Sequence, residues 1–514
     1  MAVKIFASIL VGSTDTEMKL YELSPRRGIR QIDWLSRRID LGVDAYDRGV
    51  LSTGKVQLLV DTLREYKRII DGYHVDSYRM VGTSALREIR TELITKEYIE
   101  KQTGLKLTIL SNSEQRFLDY KSIASQTDSF EEVIRTGTAI VDIGGSSVQI
   151  SVFDKDHLIT TQNIRIGKIS TRNRFYPLAR NNEHYETLLS MLMEHELAGF
   201  GKLYQKDRKI TTLIATSREL QQIFHPIMLK KKSFIVTKQE FMDAYEQIAA
   251  MNPEDITRKF GTPSEMALYS SSAMIICRAL IDRFEADSIW LPDVSISDGI
   301  AYDYAVQNNA IRSPHPFDED IIAAARNIAK RYKSSPAHSK VVEELCLTLF
   351  DRSKSVHSLG KRERLLLQIS AILHNCGKYI SLTDVADCAY NIIMTTEIIG
   401  LSHAERQIVA NVVRFNTKQF SYYQDLTLVS SVSRQEYLVI AKLTAILRAA
   451  NALDRSHRQQ ITSITVKVRG DNLVISTQSA GDLTLEKGTL EQGDSLFEEV
   501  FNLKPVLHQV RTVK

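Results

Sequence analysis

One pattern occurs twice in this chain, and it limits what the chain can fold into. Lys4 to Leu23 reads KIFASILVGSTDTEMKLYEL, and Thr138 to Phe153 reads TAIVDIGGSSVQISVF. Each is a β-rich run, a tight turn carrying Gly and Ser, and a second strand. In the second copy Val148, Ile150 and Val152 alternate with Gln149 and Ser151, the pattern of a half-buried hairpin strand. Helical periodicities follow each hairpin. After the first come Leu51 to Asp71 and a charged helix over Thr91 to Thr103, stopped by Gly104. After the second come Phe241 to Met251 and Glu265 to Phe284. The order strand–strand–helix–strand–helix, met twice, predicts two α/β lobes with a cleft between them.

The texture changes near Ser313-Pro314-His315-Pro316, which reads as a linker. From Glu319 to Arg455 nearly every periodicity is helical, as in Glu363 to Leu373 and Ala404 to Val413, so an all-α domain is expected. From Ile461 the pattern turns to β: Ile464, Val466 and Val468 alternate, Gly470-Asp471-Asn472 is a turn, and Leu473 and Ile475 alternate again. A helical segment, Leu496 to Phe501, follows. The expected modules are lobes at 1–125 and 126–308, a helical domain at 309–460 and a small α/β domain at 461–514.

Composition excludes several classes. The 514 residues are 43% hydrophobic and 25% charged, with charges nearly balanced, which excludes disorder as the main state. Apolar stretches such as Ala273 to Cys277 end at Arg278, well short of the ~20 residues a membrane span needs. The opening Met1-Ala2-Val3-Lys4-Ile5-Phe6 runs straight into a strand pattern, so no signal peptide is expected. A net charge of +4 is too mild to argue nucleic acid, and Lys230-Lys231-Lys232 reads as a solvated turn. Cys277, Cys346, Cys376 and Cys388 contain no Cys-x-x-Cys, which argues against a zinc cluster and fits a reducing cytoplasm.

The turns Gly12-Ser13-Thr14 and Gly144-Gly145-Ser146-Ser147 suit phosphate. Glycine lets backbone approach an anion closely, successive N–H groups form an anion-binding concavity, and the hydroxyls add donors. Asp142, at the end of a strand before such a turn, is placed to hold a hydrated Mg²⁺.

Three segments carry a family resemblance. They are Val81-Gly82-Thr83-Ser84-Ala85-Leu86-Arg87-Glu88, then Thr103-Gly104-Leu105 with Ile109-Leu110-Ser111, then Val141-Asp142-Ile143-Gly144-Gly145-Ser146-Ser147. In order and spacing they resemble the exopolyphosphatase/guanosine pentaphosphate phosphatase family, within the actin-like (ribonuclease H-like) phosphotransferase superfamily. The likeness continues through Gly299 into the helical domain and the tail. It implies a two-lobed actin-like fold that cleaves a terminal phosphoryl group from polyphosphate, or the 5′-terminal phosphate of guanosine pentaphosphate. It also implies phosphates cradled by both turns, Ser84 and Arg87 facing phosphate, Mg²⁺ held by acids of the hairpins, and a glutamate after an Ile-Ser-Gly segment that orients or deprotonates water. The family often pairs through its helical domains, which implies a homodimer.

The chain departs from that pattern. The acid of the first hairpin falls on Leu10, the family's glutamate on Gln115, with Glu114 beside it, and a further glutamate on Gln149; the later Gly-Gly-Thr turn is Ala215-Thr216-Ser217. Glutamine can orient water but neither accepts a proton near neutral pH nor supplies charge to a metal. The helical domain resembles an HD-type phosphohydrolase, in which two His and two Asp hold a metal. Here that set falls on His338, His374, Asn375 and Asn451, so both anionic ligands are amides. The expected function is binding of inorganic polyphosphate or a guanosine polyphosphate between the lobes, with weakened Mg²⁺-dependent hydrolysis in which Asp142 holds the metal and Glu114 is the candidate base. The alternative is a catalytically inert binder acting as regulator or scaffold. Neither membrane nor specific nucleic acid is expected as a partner.

Overall fold

The structure is a computed structural model. It describes residues 3–126, 130–135, 137–155, 157–179, 182–206, 208–249, 251–261, 264–313, 315–427, 431–492 and 496–510. Pro314 of the expected linker lies outside the described residues. The chain divides into two compact units, Met1–Pro316 and Phe317–Lys514.

The first unit holds two sheets built on one plan. The first has strands β1 (Lys4–Val11), β2 (Asp15–Ser24), β3 (Gly28–Arg38), β4 (Ser77–Gly82) and β5 (Leu107–Ile109), in the order β3-β2-β1-β4-β5. The second has β6 (Thr138–Ile143), β7 (Val148–Asp154), β8 (His157–Ile164), β9 (Thr212–Thr216), β10 (Ile235–Thr237) and β11 (Ser288–Trp290), in the order β10-β11-β9-β6-β7-β8. In each, three strands run antiparallel and the first of them continues into parallel neighbours. The parallel pairs need helical crossovers, which is why helices follow each hairpin.

The expected order strand–strand–helix omits a third strand in each lobe, β3 and β8. Most of β3, GIRQIDWLSRR, is exposed or half-buried, so its charges hide the apolar alternation, and the β2–β3 register shifts at Leu20/Tyr21. A second difference concerns β7, expected to be half-buried. Gln149 and Ser151 are buried as fully as Val148 and Ile150, because the helix Asn112–Ala124 supplies partners to the sheet's polar face. That helix in turn packs on the helix Ile296–Gln307. Gly299 allows this approach, since a Cβ there would collide with the backbone carbonyl of Leu118.

The second unit is helical from Phe317–Arg331 through Arg434–Ala452. Its tail forms a sheet of β12 (Thr465–Arg469), β13 (Asn472–Gln478) and β14 (Lys504–Val510), with β13 antiparallel to β12 and parallel to β14. The expected hairpin is there; the sequence reading omitted the helix Thr484–Gln492 and the parallel strand β14.

Gly299→Ala is expected to destabilise the first unit by about 1–3 kcal/mol, toward the upper end because a backbone carbonyl cannot rotate away. Urea unfolding reads this as a lower midpoint. An unchanged midpoint would show that the two helices do not depend on that close approach.

Candidate functional site

In the first unit the two hairpin turns meet. Each turn is closed by its own backbone: Gly12 N–H donates to Asp15 O at 2.9 Å and Gly144 N–H to Ser147 O at 3.0 Å. A Cβ on Gly145 would stand 2.8 Å from Ser13 Oγ and 3.0 Å from Tyr46 Oη, so only glycine lets the second turn lie against the first. Tyr46 Oη and Ser84 Oγ share a hydrogen bond of 2.6 Å, and Ser146 Oγ donates to Glu88 Oε1 at 2.7 Å. Ser13, Ser84, Gly145 and Ser146 thus gather around Tyr46, whose hydroxyl burial pushes up to about 12. Thr14 faces its own chain through its carbonyl, which accepts from Ile39 and Asp40 N–H, while Ser147 is buried. The first amides of the helix Lys168–Phe175 donate to the Gly144 and Gly145 carbonyls, which fixes the turn.

Arg87 holds protein groups. It donates to Leu110 O and Asn112 Oδ1, tying the end of β5 to the start of the helix Asn112–Ala124. Leu10 packs with the apolar cluster around Phe6 and Val81. Directly across the β1–β2 pair from it is Glu17, a buried carboxylate. Glu17 accepts from Arg218 at 2.8 Å, Ser295 at 2.8 Å and Ser297 at 2.7 Å, and Arg218 also binds Asp15 at 2.7 Å.

The helix Asn112–Ala124 brings the remaining groups to Asp142. Ser111 caps it, and Glu114 completes a capping box, its Oε2 accepting from Ser111 N at 2.9 Å and Ser111 Oγ at 2.7 Å. Glu114 Oε2 is therefore engaged at the N-terminus of its own helix, which sets it against its expected part as candidate base. Gln115 is the residue that faces Asp142: its Nε2 donates to Asp142 Oδ2 at 3.3 Å, while its Oε1 is buried without a hydrogen-bond partner. Arg116 donates to Gln149 Oε1 at 3.2 Å and to Thr161. Asp119, one turn beyond Gln115, accepts from Thr216 Oγ1 at 2.9 Å. In register, Asp142 pairs with Gln149 on one side and Thr216 on the other, so all of these share one sheet face.

Burial, and next the charge of Asp142, lifts the Asp119 carboxyl well above the ordinary range. Burial also lifts Asp142, against the opposing pull of Lys168, Gln115 and Arg116. Burial pushes the Glu219 carboxyl up, but the Lys168 pair at 2.5 Å, a backbone N–H and the Ser217 hydroxyl together hold it below the usual carboxylate range. Among the described residues, no cluster of three or more His, Cys, Asp or Glu side chains is placed to hold a metal.

Sequence reasoning placed Gln115, Asp142 and Gln149 and missed Arg116, Asp119, Lys168 and Glu219. Asp119 carried a signal, since a spacing of four from Gln115 puts both on one helix face. Lys168 follows Gly167 at a helix start, which periodicity alone does not mark as functional.

The second unit gathers the histidines expected there. His338 Nδ1 donates to Asp454 Oδ2 at 2.7 Å, His338 Nε2 and His374 Nε2 are 3.1 Å apart, and Asn375 Nδ2 donates to His374 Nε2 at 2.8 Å. His457 stacks on His338 at 3.6 Å. The carboxylate of the group is Asp454, not the residue at Asn451: Asp454 reaches His338 and also accepts from Gln459 N–H at 2.8 Å. With Asp454 on Nδ1, only neutral groups converge between the rings, a poor set for a hard cation. Among the described residues, no helix is long and apolar enough to cross a membrane.

Lys168→Met strands Glu219 in the interior. It should cost about 3–5 kcal/mol of unfolding free energy, and Lys168→Met with Glu219→Met should recover most of it. Burial and the neighbouring His338 push His374 down to about 3. The unfolded chain therefore takes up a proton that the folded unit refuses. Stability from this group is present above about pH 6.5 and is lost as pH falls from there toward about 3. Melting temperatures across that range should fall, and His374→Asn should flatten the slope; an equally steep slope in the variant would contradict this.

A family model described as the Ppx/GppA phosphatase family matches residues 29–308, and one described as Ppx/GppA phosphatase, domain III, matches residues 322–497. A guanosine-5′-triphosphate,3′-diphosphate pyrophosphatase of Photobacterium profundum is 19% identical over 486 residues, covering 93% of this chain and 92% of its own. One of Vibrio atlanticus is 20% identical over 500 residues, covering 95% of each. Among solved structures, an exopolyphosphatase from Cytophaga hutchinsonii superposes with a TM-score of 0.54 at 16% identity, covering 61% of this chain and 100% of that one. The Aquifex aeolicus member of the Ppx/GppA family gives 0.51 at 16% identity, covering 60% of this chain and 99% of its own. These neighbours share the two-lobed fold, and with family models spanning most of its length, this chain belongs to the Ppx/GppA phosphatase family.

Proposed function

We propose that the first unit binds the phosphate chain of inorganic polyphosphate or of a guanosine polyphosphate between its lobes, and hydrolyses the terminal phosphoanhydride slowly. The meeting of the two turns at Gly145 and Ser13 carries this reading, because it collects hydroxyl donors from both lobes at one place. Gly12, Ser13, Thr14, Ser84, Gly144, Gly145, Ser146 and Ser147 form the cradle. A bound chain takes the Ser146 hydroxyl from Glu88, trading a carboxylate acceptor for a phosphate oxygen. Arg87 serves by holding Asn112 and Leu110 in place. The activity for which the relatives are named, guanosine-5′-triphosphate,3′-diphosphate pyrophosphatase, supports the ligand class.

Gln115 sets the rate. Its amide can orient a water beside Asp142 but cannot take its proton, and general-base catalysis is worth about 10²–10⁴ in rate. Mg²⁺ bound at Asp142 would offset the charge of the phosphoryl group. A second reading, a regulator or scaffold that binds without cleaving, is favoured by the amides at both 115 and 149.

Titration with tripolyphosphate and a guanosine polyphosphate, beside a phosphate-release assay with Mg²⁺, tests both. Saturable binding with turnover below the ordinary range of about 1–10³ s⁻¹ is expected. Gln115→Glu should raise turnover by about 10²-fold. Binding without any release selects the second reading; absence of binding contradicts both.

A further inference from the structure

We propose that the consecutive residues Arg218 and Glu219 staple the two glycine turns to each other, which makes Arg218 a positioning residue for the phosphate cradle. Both stand at the start of the helix Arg218–Lys231, which follows β9 and Ser217. Neighbouring residues on a helix project about 100° apart and do not share a face. One helix start therefore reaches two separate elements.

Arg218 reaches the first sheet. Its Nη1 donates to Asp15 Oδ2 at 2.7 Å and its Nη2 to Glu17 Oε2 at 2.8 Å. Asp15 is the residue whose carbonyl closes the first turn on Gly12. Glu219 reaches the second turn. Its Oε2 accepts from Lys168 Nζ at 2.5 Å and from Ser217 Oγ at 3.0 Å, and the backbone N–H of Lys168 donates to Gly144 O at 3.1 Å. An unbroken line of side chains and backbone thus runs from Asp15 through Arg218, Glu219 and Lys168 to Gly144.

The chemistry of these groups suits a staple better than it suits stability. A buried ion pair gains little over apolar side chains of the same volume, because both charges leave water, but it holds a set geometry. Glu17 is 1% exposed, and the hydroxyls of Ser295 and Ser297 fix its other oxygen, Oε1, at 2.8 and 2.7 Å. The guanidinium is planar and rigid, and here its two terminal nitrogens bind two different carboxylates. The fork fits only while Asp15, Glu17 and the helix start keep one spacing. Gly145 lies against Ser13 with no room for a Cβ, so a small change in that spacing alters the cradle.

What the staple serves rests on the phosphate-binding reading above; that it couples the turns does not. Asp15→Asn in the full-length chain separates positioning from charge. It removes a negative charge beside the cradle, so charge alone dictates tighter binding of tripolyphosphate, whereas a loosened staple weakens binding by about fivefold or more. Arg218→Lys, which keeps the charge and loses the fork, should weaken it too. Hydrogen exchange without ligand, read by mass spectrometry, gives the second readout. In both variants the amides of residues 168–170, which donate to the second turn, should exchange faster although that turn is untouched, while the helix Lys238–Ala249 exchanges as in the wild type. Unchanged exchange at 168–170, an equal rise in both segments, or unchanged or tighter tripolyphosphate binding in a folded variant overturns the proposal. Melting curves show which variants fold, and Arg218→Lys carries the test if Asp15→Asn does not. A wild type that binds no tripolyphosphate removes the phosphate-binding reading, and exchange alone then decides the coupling of the turns.

Discussion

The helix Asn112–Ala124 laid on the polar face of the second sheet is the contact on which the site depends. It takes charged and polar groups out of water on both sides, and each buried charge must then find a partner. Arg116 finds Gln149 and Thr161, Asp119 finds Thr216, and Gln115 reaches Asp142. Gly299 lets the helix Ile296–Gln307 press on the other side, so the helix has little room to move. The electrostatics of the cleft follow from how closely this one helix is held.

Seen through that contact, each position at which the resemblance leads one to expect a carboxylate has a charged neighbour. Leu10 makes its position apolar, yet Glu17 stands across the strand pair from it, tied to Arg218, Ser295 and Ser297. Gln149 is neutral, yet a guanidinium has come to it. Gln115 is neutral, yet a carboxylate stands one helical turn away. In space, the buried acids and cations of this polar layer face one another: Lys168 pairs with Glu219, and Arg116 stands beside Gln149 and Asp142.

Much of the fold was legible because hairpins and crossovers leave period and glycine signals. The turns at Gly12 and Gly144, the stop at Gly104 and the change of texture near Ser313 all mark real boundaries of elements. The edge strands β3 and β8 were not legible: β3 has a wet face whose polar residues break the alternation, and β8 carries Thr160, Thr161, Gln162 and Asn163 in succession, buried or half-buried. The site was half legible. Asp142 could be placed by the glycine turn that follows it, Gln149 by its offset of seven from Asp142, and Gln115 by the segment after Ile109-Leu110-Ser111, the last two through the family resemblance. Glu114 misled, because a glutamate three residues after Ser111 answers the helix's own N-terminal amides before anything else. Asp454 hid behind Asn451 for a related reason: after a helix ends, the spacing that brings a side chain back to its neighbours is set by the loop and not by a period.

A structure of the chain with a methylene-bridged triphosphate, which cannot be hydrolysed at the bridge, addresses the central claim most directly. The account predicts phosphate density between the Gly12 and Gly144 turns, with Ser146 released from Glu88. Density at another surface, or a saturated protein whose turns remain in mutual contact with Ser146 still on Glu88, would contradict it.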